Sequence, residues 1–181
     1  MKQIYILLSR TGTAPSKLIY LFTRKKYTHA SIAVEASTDK FYSYGRRRLH
    51  NFMVAGFIHE DTKSGVFNLF AEGSCELFTL EVSDESYEKI KELIQLHDDN
   101  YDKCIYKFSS FIAMPLHIKR KLGFRLACSQ FVAKMLHESG ACELPKHPSL
   151  MHPIDFMYID KIKSIYVGKI KDCHFPEASE E

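Results

Sequence analysis

The chain has 181 residues, which at roughly 100 to 200 residues per domain implies one compact domain rather than a two-domain enzyme. Hydrophobic residues make up 45% and charged residues 26%, a balance that excludes disorder everywhere but the ends. Twenty-five Lys and Arg against 22 Asp and Glu leave +3, too little for a protein that coats nucleic acid, so no nucleic-acid partner is expected.

The apolar run Ile4 to Leu8 breaks at Ser9-Arg10, short of a signal-peptide core and of the ~20 apolar residues that a spanning helix needs. A cytoplasmic protein without a transmembrane segment is expected. Five cysteines, Cys75, Cys104, Cys128, Cys142 and Cys173, are odd in number and lack a CxxC pair. They encode neither a disulfide framework nor a zinc knuckle, and no cofactor or metal is expected.

Ile4 to Leu8 reads as a strand, Ser9 to Thr13 as a loop, and Pro15 as the first turn of a helix reaching about Lys25. In Thr28 to Glu35, Ile32 and Val34 alternate with smaller or polar residues as a half-buried strand requires, and Phe41 to Tyr44 returns as an aromatic strand ending at Gly45. The two read as a hairpin. Beyond Arg46-Arg47-Arg48 the pattern weakens until Val66 to Phe70 and Cys75 to Val82, which read as a second hairpin around Gly73.

Ser83, followed by Asp84 and Glu85, is an N-cap with an acidic first turn. Tyr87, Ile90, Leu93 and Ile94 continue a helix to about His97. Tyr101 to Leu116 has no clean period and stays open between helix and irregular core segment. Cys128, Phe131, Val132, Met135 and Leu136 mark one face of a helix that stops at Gly140. A short helix over Ile154 to Asp160 and a last strand over Ser164 to Ile170 complete a single domain spanning 1–175, with 176–181 a loose acidic tail.

Cys128 stands out because a helix start lowers a thiol's pKa and favours the nucleophilic thiolate. Its candidate base is His29, since Cys-His pairs are distant in sequence and adjacent only in the fold. Taken alone, such a cysteine is more often a small buried hydrophobe and such a histidine structural.

Three segments alter that weighting: Tyr27-Thr28-His29-Ala30-Ser31-Ile32-Ala33-Val34, Phe41-Tyr42-Ser43-Tyr44-Gly45 and Ala127-Cys128-Ser129-Gln130-Phe131-Val132-Ala133. Together they resemble the circularly permuted NlpC/P60 superfamily of papain-like cysteine hydrolases, in its YiiX/YycO-like group, over about Ile4 to Asp155. In that superfamily the cysteine helix ordinarily precedes the histidine strand; in permuted members the histidine comes first, as His29 does here. The resemblance implies an α+β papain-like fold, a mostly antiparallel sheet packed against the helix carrying the cysteine. It makes Cys128 the nucleophile and His29 the base.

The resemblance also implies a polar residue that orients the imidazole from the next strand, where Ser43 is the matching position. Hairpin register offers Tyr44 or Arg46 instead. Glu35 lies six residues along the strand from His29, about 20 Å at ~3.3 Å per residue, and does not reach it. The Cys128 backbone N–H supplies one oxyanion donor. Thr11 and Thr13 are possible contributors, though helix capping near Pro15 is the plainer reading. Cys142, His147 and His152 have a ligand-like spacing, but they are interrupted by prolines and lack a fourth member. Arg46 to Arg48 are either an anion site or a solvated edge.

The expected function is hydrolysis or transfer of an acyl group through a Cys128 thioester, on a small peptide, amide or lipid-ester substrate. A non-catalytic binding module with the same fold is the alternative. A third position without a carboxylate favours the module, and a reactive thiol of low pKa favours the enzyme.

Overall fold

The computed structural model describes residues 1–10, 26–48, 51–110 and 116–176. Eight strands, β1 (Lys2–Arg10), β2 (His29–Ala33), β3 (Phe41–Arg48), β4 (Asn51–Glu60), β5 (Ser74–Val82), β6 (Ile105–Tyr106), β7 (Arg125–Leu126) and β8 (Lys163–Lys169), form one sheet. Their order is β7-β6-β4-β3-β2-β1-β5-β8. Every neighbouring pair is antiparallel except β6 and β7. Among the described residues the α-helices are α1 (Gly65–Leu69), α2 (Asp84–Asp99) and α3 (Cys128–Glu138). The architecture is thus mixed α+β around a mostly antiparallel sheet, and no helix among the described residues is long and apolar enough to cross a membrane.

Both faces of the sheet are covered, which is why Ile4 to Leu8 reads as an unbroken apolar run rather than an alternating one. Ile4, Ile6 and Leu8 face one core with Ile90, Leu93 and Ile94 of α2 and Phe131, Val132 and Met135 of α3. Tyr5 and Leu7 face a smaller core with Phe67 of α1, Phe41, Cys75 and Cys173. Helix α2 follows its sequence signals: the Ser83 hydroxyl accepts from the Ser86 amide at 3.0 Å, and the buried residues recur at helical spacing.

Two segments differ from the sequence reading. Val66 to Phe70 lies in and beside helix α1 rather than in a strand, so β5 pairs with β1 and β8 instead of forming a local hairpin. A five-residue apolar run carries too little periodicity to separate the two, and the observed helix buries only Phe67. Strand β4, where no element was expected, pairs with β3 along almost its whole length. Among the described residues, the open stretch from Tyr101 begins with a 3₁₀ turn, Tyr101–Lys103, followed by β6. The helix expected from Pro15 to Lys25 lies outside the described residues, as does 177–181.

The β2–β3 seam is thinly laddered. Strands β1 and β2 share five paired positions, whereas β2 and β3 share one, Ile32 opposite Tyr42. Near the His29 end the Ser43 hydroxyl donates to the Ala30 carbonyl at 2.7 Å. The Ala30 backbone amide bonds the sulfur of Cys128.

Candidate active site

Cys128 is the first residue of α3, an eleven-residue helix whose first nine residues are all buried. Side-chain anchors hold that helix start in place. The Gln130 carboxamide accepts from the Ala127 amide at 3.0 Å and from the Ser110 hydroxyl at 2.9 Å, and donates to the Ser149 carbonyl at 2.9 Å. Ser129 donates to the Met151 carbonyl at 2.6 Å. The Cys-Ser-Gln start therefore fixes a position from which the helix dipole and unpaired amides favour a thiolate.

His29 opens β2, opposite Ser9 of β1. Its Nε2 lies 2.9 and 3.0 Å from the two carboxylate oxygens of Glu60, the last residue of β4. The Ser31 hydroxyl also donates to Glu60, and Phe67 sets its ring edgewise to the imidazole at 6.2 Å. Glu60 reaches His29 across β3 over Gly45, where an added Cβ would stand 2.5 Å from Ile58 and 3.8 Å from a Glu60 carboxylate oxygen. With Nε2 taken by Glu60, Nδ1 is the ring nitrogen left for the hydrogen bond that His29 shares with the Cys128 thiol.

The electrostatics follow from this chain of contacts. Burial disfavours a charged His29, but the Glu60 carboxylate and the bonds to Cys128 and Glu60 outweigh it and hold the imidazole well above its ordinary pKa of 6.5. Burial likewise disfavours a Cys128 thiolate. The His29 hydrogen bond and charge, the Ala30 amide and Tyr106 outweigh it and bring the thiol below 9.0. The pair thus favours thiolate and imidazolium together. Tyr106, on β6, places its hydroxyl 3.9 Å from the sulfur and accepts from the Cys128 backbone amide. Burial and then the Cys128 charge push its phenol well above 10, so it stays protonated as a donor.

Cys128 is 3% exposed, while the His29 and Glu60 side chains retain 18% and 10%. An open groove of about 370 Å³ runs beside Glu60, lined by Arg46, Ile58, Gly65, Phe67 and Tyr101 among others.

The structure brings Cys128 and His29 together and places Ser43 elsewhere. Ser43 is fully buried and spends its hydroxyl on the Ala30 carbonyl, so the side chain that holds the His29 ring is Glu60. Of the two alternatives that hairpin register offered, Tyr44 donates to the Phe124 carbonyl and Arg46 lines the groove beside Glu60; Glu35, out of reach along its strand, pairs with Lys40. Within the triple arginine, Arg47 donates to the carbonyls of Phe57, Tyr101 and Cys104 and lies over the Tyr101 ring, so it serves as a structural brace. Thr11 and Thr13 fall outside the described residues.

His147 hydrogen bonds Ser149, and among the described residues no group of three His, Cys, Asp or Glu side chains is arranged to hold a metal ion. Glu60 and Tyr106 went unseen in the sequence. The available signal for Glu60 was the polar segment His59-Glu60-Asp61 that follows the apolar run Phe52 to Ile58. For Tyr106 there was none. No family model matches the chain, and no curated protein matches it.

Ser43 gives a prediction that separates support of the strand from support of the imidazole. Ser43→Ala should lower stability in urea unfolding by about 1 kcal/mol through the lost bond to Ala30. It should leave the pH midpoint of Cys128 alkylation in place, and a midpoint shifted as far as by a Glu60 substitution would assign Ser43 to the imidazole after all.

Proposed function

We propose that the protein is a cysteine-dependent hydrolase or acyltransferase with a permuted papain-like fold, acting on an amide or ester carbonyl. The observation that carries this reading is the unbroken chain from Glu60 through His29 to Cys128 at a helix start. The reading also agrees with the Cys-Ser-Gln-Phe-Val-Ala segment and with a histidine strand that precedes the cysteine helix.

In this reaction the Cys128 sulfur attacks the acyl carbon, and the carbonyl electron pair moves to oxygen. The Cys128 amide and the Tyr106 phenol meet beside the sulfur, where an oxyanion would accept from both. Collapse of the tetrahedral intermediate breaks the bond to the leaving amine or alcohol, which takes a proton from the His29 imidazolium. Water or an acceptor hydroxyl then gives its proton to the neutral imidazole and attacks the thioester, releasing the acyl product and the thiolate. Glu60 holds the ring and its charge throughout. The alternative, a binding module, would have no use for a carboxylate-paired imidazole aimed at a buried thiol.

Incubation with p-nitrophenyl acetate followed by intact-mass and peptide mapping tests the proposal. The expected result is a single acetyl group on Cys128, absent from Cys128→Ala, with Cys75, Cys104, Cys142 and Cys173 unmodified. Burial raises the thiol pKa of Cys104 and Cys142, and the hydrogen bond with Cys173 ahead of burial raises that of Cys75, which works against all three; Cys173, lowered by the same bond, is engaged in it and 4% exposed. Acetylation spread evenly over the other cysteines, or equal ester turnover by Cys128→Ala, would remove the covalent mechanism.

A further inference from the structure

The modest total charge conceals a strong segregation. Residues 103–137 contain seven Lys and Arg and no Asp or Glu, so this stretch carries +7 while the rest of the chain, with 18 basic and 22 acidic residues, carries −4. The basic stretch is also the one that builds the nucleophile's surroundings, since it holds β6 with Tyr106, strand β7 and the start of α3.

Its charges are presented to solvent: Lys103, Lys119, Arg120, Lys121 and Arg125 are all exposed. Between them stand large apolar side chains that are exposed among the described residues. Leu116 is 64% exposed, Ile118 44%, Ile105 42% and Phe108 36%. Ile105 and Arg125 are direct partners in the β6–β7 ladder, so an exposed apolar and a basic group stand side by side at this edge of the sheet. The opposite edge, β8, pairs its lysines with acids: Lys163 with Glu81 and Lys169 with Glu72.

We infer that the β6–β7 edge with the loop 116–124 is a docking surface for an anionic lipid bilayer. Exposed Leu and Ile side chains lose apolar hydration on entering the headgroup boundary, and neighbouring lysines keep their ammonium groups among the lipid phosphates. Each Lys or Arg near such a surface contributes attraction that salt weakens. A nucleic acid would use the cations but gain little from exposed aliphatic side chains, which is why a bilayer fits this surface better. Docking in this way sets the Cys128 site beside the membrane, because Arg125 lies three residues before the nucleophile and Tyr106 next to Ile105. The inference stands independently of catalysis.

Co-sedimentation of the full chain with vesicles tests it, comparing phosphatidylcholine alone with two parts phosphatidylcholine to one part phosphatidylglycerol. The expected result is binding to the mixed vesicles that raised salt weakens, with little binding to the neutral ones. Lys119→Gln and Lys121→Gln should each cost about fivefold in affinity, and Leu116→Ser with Ile118→Ser about tenfold. These positions are exposed, so unchanged melting curves accompany the loss. Lys163→Gln on the far edge should bind as the parent does, and so should Cys128→Ala, which separates docking from the enzyme reading.

Absence of binding to the mixed vesicles, equal affinity for both vesicle types, or an equal loss from Lys163→Gln would overturn the inference. So would tighter saturable binding to a single-stranded oligonucleotide than to vesicles, or dimerisation abolished by the Leu116 and Ile118 changes in place of vesicle binding.

Discussion

His29→Gln should slow acylation of Cys128 by an activated ester at neutral pH by about 10² to 10⁴-fold, the range spanned by positioned acid–base groups. Glutamine is the informative replacement because its amide N–H can still donate to Glu60, which sits 10% exposed against the ring. Alanine would strand that carboxylate and mix a folding defect with a catalytic one. The glutamine side chain cannot carry the proton, so the thiol loses the hydrogen bond and charge that now hold it below 9.0. Burial, its largest single influence, then pushes the thiol up. The pH at which iodoacetamide alkylates Cys128 at half its limiting rate should therefore move upward, and a midpoint that stays in place would show that His29 does not activate the thiol.

Glu60→Gln should produce a loss of similar kind without touching either reacting residue, about 10²-fold or more in ester turnover. The carboxylate is the leading influence that keeps His29 charged against its burial. With a neutral amide in its place, burial wins and the imidazole pKa falls. The parent protein has a thiolate–imidazolium window bounded below by the lowered Cys128 pKa and above by the raised His29 pKa, and the variant should lose that window from both sides. Linkage adds a second readout. A histidine whose folded pKa is raised contributes stability that is complete below about pH 6.5 and is lost as pH rises through the folded value. The stability gap between parent and variant in urea unfolding should accordingly shrink as the pH is taken alkaline, and a gap that widens there would contradict the assigned pair.

Cys128 and His29 each carried only a local hint, a cysteine at the start of a strongly periodic helix and a histidine opening an alternating strand, and it was the resemblance of the surrounding segments that joined them. Glu60 was hidden for a geometric reason. Hairpin reasoning looks one strand away, toward Ser43, Tyr44 or Arg46, whereas the carboxylate arrives from two strands away, over a glycine. Strand β4 was itself missed, since Gly56 and the surrounding run Asn51 to Glu60 lack clean alternation. That glycine has a structural use visible only in three dimensions: an added Cβ would stand 2.0 Å from the Cys104 carbonyl oxygen, so only glycine lets β4 come this close to the chain entering β6. Helix α1 escaped because five residues hold too little periodicity to tell helix from strand.

The reach of Glu60 over Gly45 ties chemical activation to correct assembly. A one-residue slip of β4 against β3 would turn Glu60 to the other side of the sheet, and a slip of β2 would do the same to His29. The sulfur is therefore an ordinary thiol in the growing polypeptide and in any misregistered conformer, and it acquires its nucleophilicity only when three strands and one helix have found their alignment. During synthesis both partners emerge from the ribosome well before Cys128. The sulfur is thus the last part of this chain of contacts to appear, after the imidazole that lowers its pKa and the carboxylate that keeps that imidazole charged.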